Sequence, residues 1–191
     1  EQCIIFADGT ADYLSTITAS TKKTVTLRTD SIIPQKVLPK KVTACVSIIK
    51  RDNFEIVVQK LTELGIHTIA PIVSERTVKQ ALRIDRLQKI SDEALEQSGG
   101  STRVTISEPK NLADTLALYT NLEQYCFDME GQLLSRSSKN ESVFYIGPEG
   151  GWSNDEKSLF KSHGVTICTL GGTTLRAETA AIVAGYTLLW N

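Results

Sequence analysis

The sequence predicts an α/β chain in which a mostly parallel sheet carries helices on both faces. Three observations predict it. From Val42 onward, short apolar runs alternate with segments of helical period, the pattern of repeated strand–helix units. The run "VTACVSII" (42–49) is almost continuously apolar, as a strand buried on both faces should be. Two glycine-bearing turns, "IGPEGG" and "LGGTTLRAETA", each follow an apolar strand run and precede a helix. Open α/β sheets bind ligands at that end of their strands.

The elements follow in order. "CIIFADGTADYLSTITASTKKTVTLRTDS" reads as short threonine-rich strands with a turn at Asp8-Gly9. "SIIPQKVLPKK", with Pro34 and Pro39, reads as a linker. After the strand at 42–49, residues 52–65 form a helix. Asp52 is its cap, Phe54, Val57, Val58, Leu61 and Leu64 share one face, and Gly65 ends it. Residues 68–74 are a strand, and 79–98 a helix with Leu82, Leu87, Ile90 and Leu95 inward. A strand at 104–109 leads to a helix over 112–119 capped by Asn111. "YCFDM" and "SVFYIG" are strands. Ser153 and Glu156 form a capping box for the next helix, which Gly164 closes. A strand at 165–171 precedes a last helix from about Leu175 to Trp190. It is apolar on most sides, so it must be buried within the chain or against another subunit.

The chain has 191 residues, which suits one large domain or one domain plus a small appendage. No apolar run approaches the roughly 18 residues of a membrane helix, and "EQCIIFADG" has no basic leader region. The only methionine is Met129, so the sequence is expected to begin inside a longer protein. The net charge of −1 argues against a protein that coats nucleic acid. Local basic groups remain at Lys22 with Lys23, Lys36 with Lys40 and Lys41, and Lys50 with Arg51. Cys3, Cys45, Cys126 and Cys168 are scattered among apolar neighbours and read as free thiols of a reducing compartment. His67 and His163 lack metal-ligand spacing, and no metal is expected.

The two glycine turns offer backbone groups with little side-chain bulk. Neither is a phosphate loop. Gly147 to Gly151 is not followed by lysine, and "GPEGG" lacks the dinucleotide spacing. A ligand without phosphate suits an acid-bearing loop better. Taken alone, either turn could equally be a tight strand–helix connection.

"IGPEGGWSNDE" together with "LGGTTLRAETA" closely resembles the C-terminal signature of the RsmE family. These bacterial enzymes methylate N3 of a uracil in small-subunit (16S) ribosomal RNA. "FEIVVQKLTELGI" is similar to the family's Q-K-x-x-E-L-G helix, "APIVSERT" to its S-E-R-[ST] strand end, and "EALEQS" to its E-A-x-E-Q-[SC] stretch. The resemblance runs from about residue 47 to the end of the chain. Two departures stand out. The family's basic N-terminal stretch is missing, and the arginine of its E-Q-[SC]-x-R motif is Gly100 here, with Arg103 three positions later.

The resemblance implies a SPOUT-type methyltransferase domain with a C-terminal trefoil knot over residues 40–191. It implies an incomplete PUA-like β domain over 1–36, a homodimer in the cytoplasm, and S-adenosylmethionine as the methyl donor. The target nucleotide it implies is uridine 1498. Carried onto this sequence, Ile146, Gly147, Pro148, Gly151, Leu170, Gly171, Leu175 and Thr179 would shape the donor pocket. Arg176 would stabilise negative charge on the uracil carbonyl edge, and Glu178 or Glu149 would take the proton or orient Arg176. Arg76 would contact RNA phosphate or stand as a solvated strand-end charge, Lys50 and Arg103 would contact RNA, and Trp152 would pack. The rivals are a SPOUT enzyme acting on another RNA and a non-catalytic RNA-binding module. Without the resemblance, Arg176 and Glu178 read simply as helix-start residues.

Overall fold

A computed structural model describes residues 2–6, 11–34, 38–77, 80–100, 102–134 and 139–190. The Asp8-Gly9 turn lies outside these. Three antiparallel strands open the chain: β1 (Gln2–Phe6), β2 (Asp12–Ser20) and β3 (Val25–Ile33), in that spatial order.

Then comes the alternating part: β4 (Lys41–Ser47), α1 (Arg51–Leu64), β5 (Thr68–Val73), α2 (Ile84–Ser98), β6 (Thr105–Ile106), β7 (Lys110–Asn111) and α3 (Leu112–Leu118). It continues through β8 (Glu123–Leu133), β9 (Glu141–Ile146), α4 (Asn154–Ser162), β10 (Thr166–Thr169) and α5 (Ala177–Trp190). The sheet order is β10-β8-β9-β4-β5-β6, with β7 also on β5, and every pairing is parallel.

Side-chain alternation divides the core into two layers. Val42, Ala44 and Val46 of β4, with Phe144 and Ile146 of β9, face the cluster holding Phe54, Val57, Val58 and Leu61 of α1 and Ala181, Ala184 and Leu188 of α5. Cys45, Val143 and Tyr145 face the other way, toward Leu112 and Leu116 of α3 and Phe160 of α4. The four α1 side chains are wholly buried, and each contributes about 1.5–3 kcal/mol relative to an exposed position. The strand at 42–49 is apolar on both sides because both sides are covered.

Some boundaries differ from expectation, for local reasons. Asp52 does not cap α1. Lys50 holds the cap position without a side-chain bond, and Asp52 lies in the first turn, where a carboxylate suits the helix dipole. The second helix begins at Ile84, not 79, with Arg83 as an extended N-cap. The strand expected over 104–109 forms a ladder only at Thr105–Ile106, and Lys110–Asn111 pairs separately with β5. The last helix starts at Ala177. Elsewhere the caps fall where expected: Asn111 accepts from the Asp114 amide, and Ser153 and Glu156 form the reciprocal box. Gly65 ends α1 with φ 93°.

α5 buries Ala177, Ala181, Ala184, Gly185, Leu188 and Leu189 against α1, β4 and β9, yet leaves Val183, Tyr186 and Trp190 exposed. Gly100 lies at the end of α2, where its amide bonds to the Leu95 carbonyl and a Cβ would come within 2.6 Å of Leu95 Cδ1. Any side chain there displaces Leu95.

Candidate active site

The site sits at the carboxyl ends of β10 and β9, either side of the middle of β8, and the three strands are neighbours in the sheet. One glycine turn leaves β9 after Ile146 and the other leaves β10 after Thr169. Between them β8 contributes Phe127, Asp128 and Met129.

The two turns line one cavity of about 340 Å³. Ile146, Gly147, Pro148, Glu149 and Gly151 come from the first turn, and Leu175 and Arg176 from the second. Leu170 lines an adjoining hollow of about 90 Å³ that shares Phe127, Asp128, Met129 and Leu175. Gly171, with φ 149° and nothing within 4 Å of a would-be Cβ, and Thr179, exposed on α5, line neither space.

The first turn is held from below. The Gly151 amide, on a residue with φ 68°, bonds to the Pro148 carbonyl at 2.8 Å. Trp152 is buried, donates from Nε1 to the Phe127 carbonyl at 3.2 Å, and stacks edge-on against Phe160 at 4.8 Å. Its ring lies so close under Gly147 that a Cβ there would meet it at 3.1 Å. Trp152 therefore packs, as expected, and also forms the cavity floor. Glu156 accepts from the Ser153 amide with Oε2 and from the Glu75 amide with Oε1, both at 2.8 Å.

Charge on the walls is mixed. Arg176 and Glu149 are exposed. Asp128 is nearly buried and pairs at 3.2 Å with Lys157, which also reaches Glu130 at 3.0 Å. The bond to Glu130, and next that to Asp128, push Lys157 above its ordinary lysine value, with burial opposing. Glu178 stands at the start of α5, and its Oε2 is buried with no hydrogen-bond partner among the described residues.

None of the three expected RNA contacts lines this cavity, though Arg76 reaches the loop that walls it. Lys50 caps α1 just beyond β4. Arg103 is held by a two-point ion pair to Asp92, at 2.8 and 2.7 Å. Arg76 donates from Nη1 to the Gly150 carbonyl at 2.7 Å.

Sequence reading missed the wall supplied by Phe127, Asp128 and Met129. Its signal was present but indirect: "YCFDM" is a strand, and only the sheet order puts its carboxyl end between the two turns.

Comparison with known proteins agrees with this layout. The model of the RNA methyltransferase domain family matches residues 36–189. The ribosomal RNA small subunit methyltransferase E of Rickettsia conorii is 31% identical over 187 residues, covering 94% of this chain and 77% of that protein. The crystal structure of the enzyme of the same name from Neisseria gonorrhoeae, bound to S-adenosyl methionine, superposes with a TM-score of 0.91 at 28% identity, over 97% of this chain and 81% of that one. A TrmH/SpoU tRNA modifying enzyme of Aquifex aeolicus shares the fold at a TM-score of 0.54 and 15% identity, over 80% of this chain and 76% of its own. The chain belongs to the ribosomal RNA small subunit methyltransferase E family of RNA methyltransferases.

Proposed function

We propose that the chain transfers a methyl group from S-adenosylmethionine to N3 of a uracil in 16S ribosomal RNA, at the nucleotide equivalent to uridine 1498. One observation carries the reading: the two glycine turns line a single cavity with Arg176 on its wall, in a chain of this family.

The cavity fits the donor. Its volume falls within the ~300–1,000 Å³ of small-molecule sites. Its lining holds one basic residue, Arg176, and two carboxylates, Asp128 and Glu149, which suits a ligand carrying sulfonium and ammonium charge better than phosphate. Ile146, Gly147, Pro148, Gly151, Leu170, Gly171 and Leu175 would hold it through backbone and apolar contacts, and the family resemblance adds Thr179 of α5 to them. When bound, the donor supplies a methyl carbon already activated by its sulfonium.

The protein's own task is alignment and charge. Holding the uracil in line with the methyl–sulfur bond removes part of the entropic barrier. The N3–H bond breaks, the N3–methyl bond forms, and sulfur keeps the electron pair of the broken methyl bond. Arg176 stabilises the negative charge spread onto the uracil carbonyl oxygens. Glu178 or Glu149 accepts the N3 proton or orients Arg176. Lys50 and Arg103 are the cations this reading assigns to the RNA.

The same membership implies the finer architecture. After β10 at the sheet edge the chain returns as α5 to the centre, against β4 and β9, a path that supports a C-terminal trefoil knot within residues 40–191. The β1–β3 meander supports a partial PUA-like domain over 1–36. A homodimer would cover Val183, Tyr186 and Trp190. The site of action would be the cytoplasm, where ribosomal subunits are assembled.

The test is methyl transfer from labelled adenosylmethionine to purified small subunits or 16S RNA, followed by mass-spectrometric mapping. Label at N3 of the one uridine is expected. Label on another base or RNA, or none with donor bound, would reject the assignment.

A further inference from the structure

The turn after β5 crosses the carboxyl end of β4 to reach the glycine turn after β9; the sheet order here is β9-β4-β5. Each step of the crossing is bonded. Ser74 Oγ donates to Ser47 Oγ, at the end of β4, at 3.0 Å. The Ser74–Thr77 turn is closed on itself: the Ser74 amide donates to Thr77 Oγ1 at 2.8 Å, and the Thr77 amide to the Ser74 carbonyl at 3.1 Å. From this turn two bonds run to the far loop. The Glu75 amide donates to Glu156 Oε1 at 2.8 Å, and Arg76 Nη1 donates to the Gly150 carbonyl at 2.7 Å. The aliphatic stem of Arg76 also lies along Gly150, where a Cβ would meet Cδ at 3.3 Å and Cβ at 3.4 Å.

We propose that Arg76 is a positioning residue for the methyl-donor loop, acting through the Gly150 carbonyl, and not an RNA-phosphate ligand. The inference rests on the donor reading of the cavity. Gly150 sits between Glu149 and Gly151, both on the cavity wall, in a stretch with two glycines and so little stiffness of its own. A charged donor on its carbonyl supplies that stiffness, since bonds to ionised groups are the stronger kind. Glu156 fixes the loop's far end by capping α4, so the pair of bonds holds the loop at its middle and its end in the shape its ligand meets. Such an arrangement acts before RNA is present.

The experiment measures three quantities on wild type, Arg76→Ala and Arg76→Lys. These are adenosylmethionine affinity by calorimetry without RNA, 16S RNA affinity across a salt series without donor, and amide hydrogen exchange over 147–153 in the free protein. Positioning predicts about a tenfold loss of donor affinity in Arg76→Ala, the size expected for losing one charge-assisted bond. It also predicts faster exchange in the loop, unchanged RNA affinity and salt slope, and partial recovery in Arg76→Lys, which still reaches with one donor. A phosphate contact predicts the reverse: unchanged donor affinity, and a salt slope reduced by about 1. That result overturns the proposal, as does a variant indistinguishable from wild type or one weakened toward both ligands. A wild-type chain that binds no adenosylmethionine would sink the proposed function instead, while the exchange rates would still judge the Arg76–Gly150 link. If Arg76→Ala melts near room temperature, Arg76→Lys carries the comparison.

Discussion

The Trp152 indole donates to the Phe127 carbonyl at 3.2 Å, and its ring lies in contact distance beneath Gly147. One side chain thus ties the turn after β9 to the strand beside it and sets the cavity floor. Gly147→Ala places a methyl 3.1 Å from that ring, closer than it can stay without a shift. Because the ring is wedged against Phe160, the shift falls on the loop. Overpacking of this kind costs about 1–3 kcal/mol. The variant should bind adenosylmethionine roughly tenfold or more weakly in calorimetry. Trp152→Phe keeps the apolar floor, loses the bond, and should lower unfolding free energy by about 1 kcal/mol in urea titration. An alanine variant with wild-type affinity would mean the floor yields freely.

Arg176→Ala should separate binding from chemistry. Arg176 is exposed on the cavity wall, and its proposed partner is charge that develops only as N3 attacks. Loss of one such donor costs on the order of 10²–10³ in kcat. Donor affinity should stay within a few-fold of wild type. Of the two carboxylates, Glu178→Gln should cost more in kcat than Glu149→Gln. Of the two, only Glu178 has a buried oxygen with no partner among the described residues, an acceptor left to take a bond from Arg176 or from the uracil N3–H. Single-turnover transfer to 16S RNA measures all three. An Arg176→Ala enzyme with normal kcat and weak donor binding would move that residue into the cofactor site.

How much of this was legible beforehand differs by element. The strand at 42–49, the capping box at Ser153–Glu156 and the cap at Asn111 were readable because each depends on residues adjacent in sequence. The false cap at Asp52 shows the limit of such reading: a carboxylate near a helix start serves as well one turn in as at the cap, and only the backbone decides. The cavity was half legible. Both glycine turns announced themselves, whereas Asp128 and Met129 join them only because β8 inserts between β10 and β9, a fact of topology with no local signature. The Arg76–Gly150 bond was illegible for the same reason. The partner of Arg76 is a backbone carbonyl 74 residues away, and a carbonyl has no sequence signal.

Two ion pairs that anchor α2 set the acid limb of stability. Arg86 grips Glu55 of α1 at 2.6 and 2.8 Å, and Arg103 grips Asp92 at 2.8 and 2.7 Å. The Arg86 hydrogen bond holds Glu55 below its ordinary 4.5, and the Arg103 hydrogen bond holds Asp92 below its ordinary 3.8. A carboxylate depressed in the folded state stabilises above its unfolded value and loses that contribution as pH falls through the folded one. The loss should therefore begin below about pH 4.5 and continue beneath 3.8. Glu55→Gln and Asp92→Asn should each be modestly less stable than wild type at pH 7, with a difference that shrinks toward zero on acidification. The pairs are partly exposed, so added salt should shrink it too. Urea midpoints from pH 7 to pH 3 measure this; variants that track wild type in parallel would rule the pairs out.

At Gly131 β8 passes close against the backbone of β10. A Cβ built on it would lie 2.3 Å from the Cys168 carbonyl carbon and 2.6 Å from its Cα, both backbone atoms. At the same place the β8–β10 register jumps, with Ile167 opposite Cys126 but Cys168 opposite Gln132. The strand that carries the second glycine turn is thus seated on a residue that cannot hold even a methyl group. Gly131→Ala must push β10 outward or unseat it, because backbone has no rotamer to yield. It should lower unfolding free energy by about 2 kcal/mol or more and weaken donor binding, since Leu170 and Leu175 move with β10. Gly172→Ala, with open space around its Cβ position, is the matched control and should change stability by less than about 0.5 kcal/mol. Equal stability of the two variants in urea titration would show that the close approach of β8 and β10 is not maintained in solution.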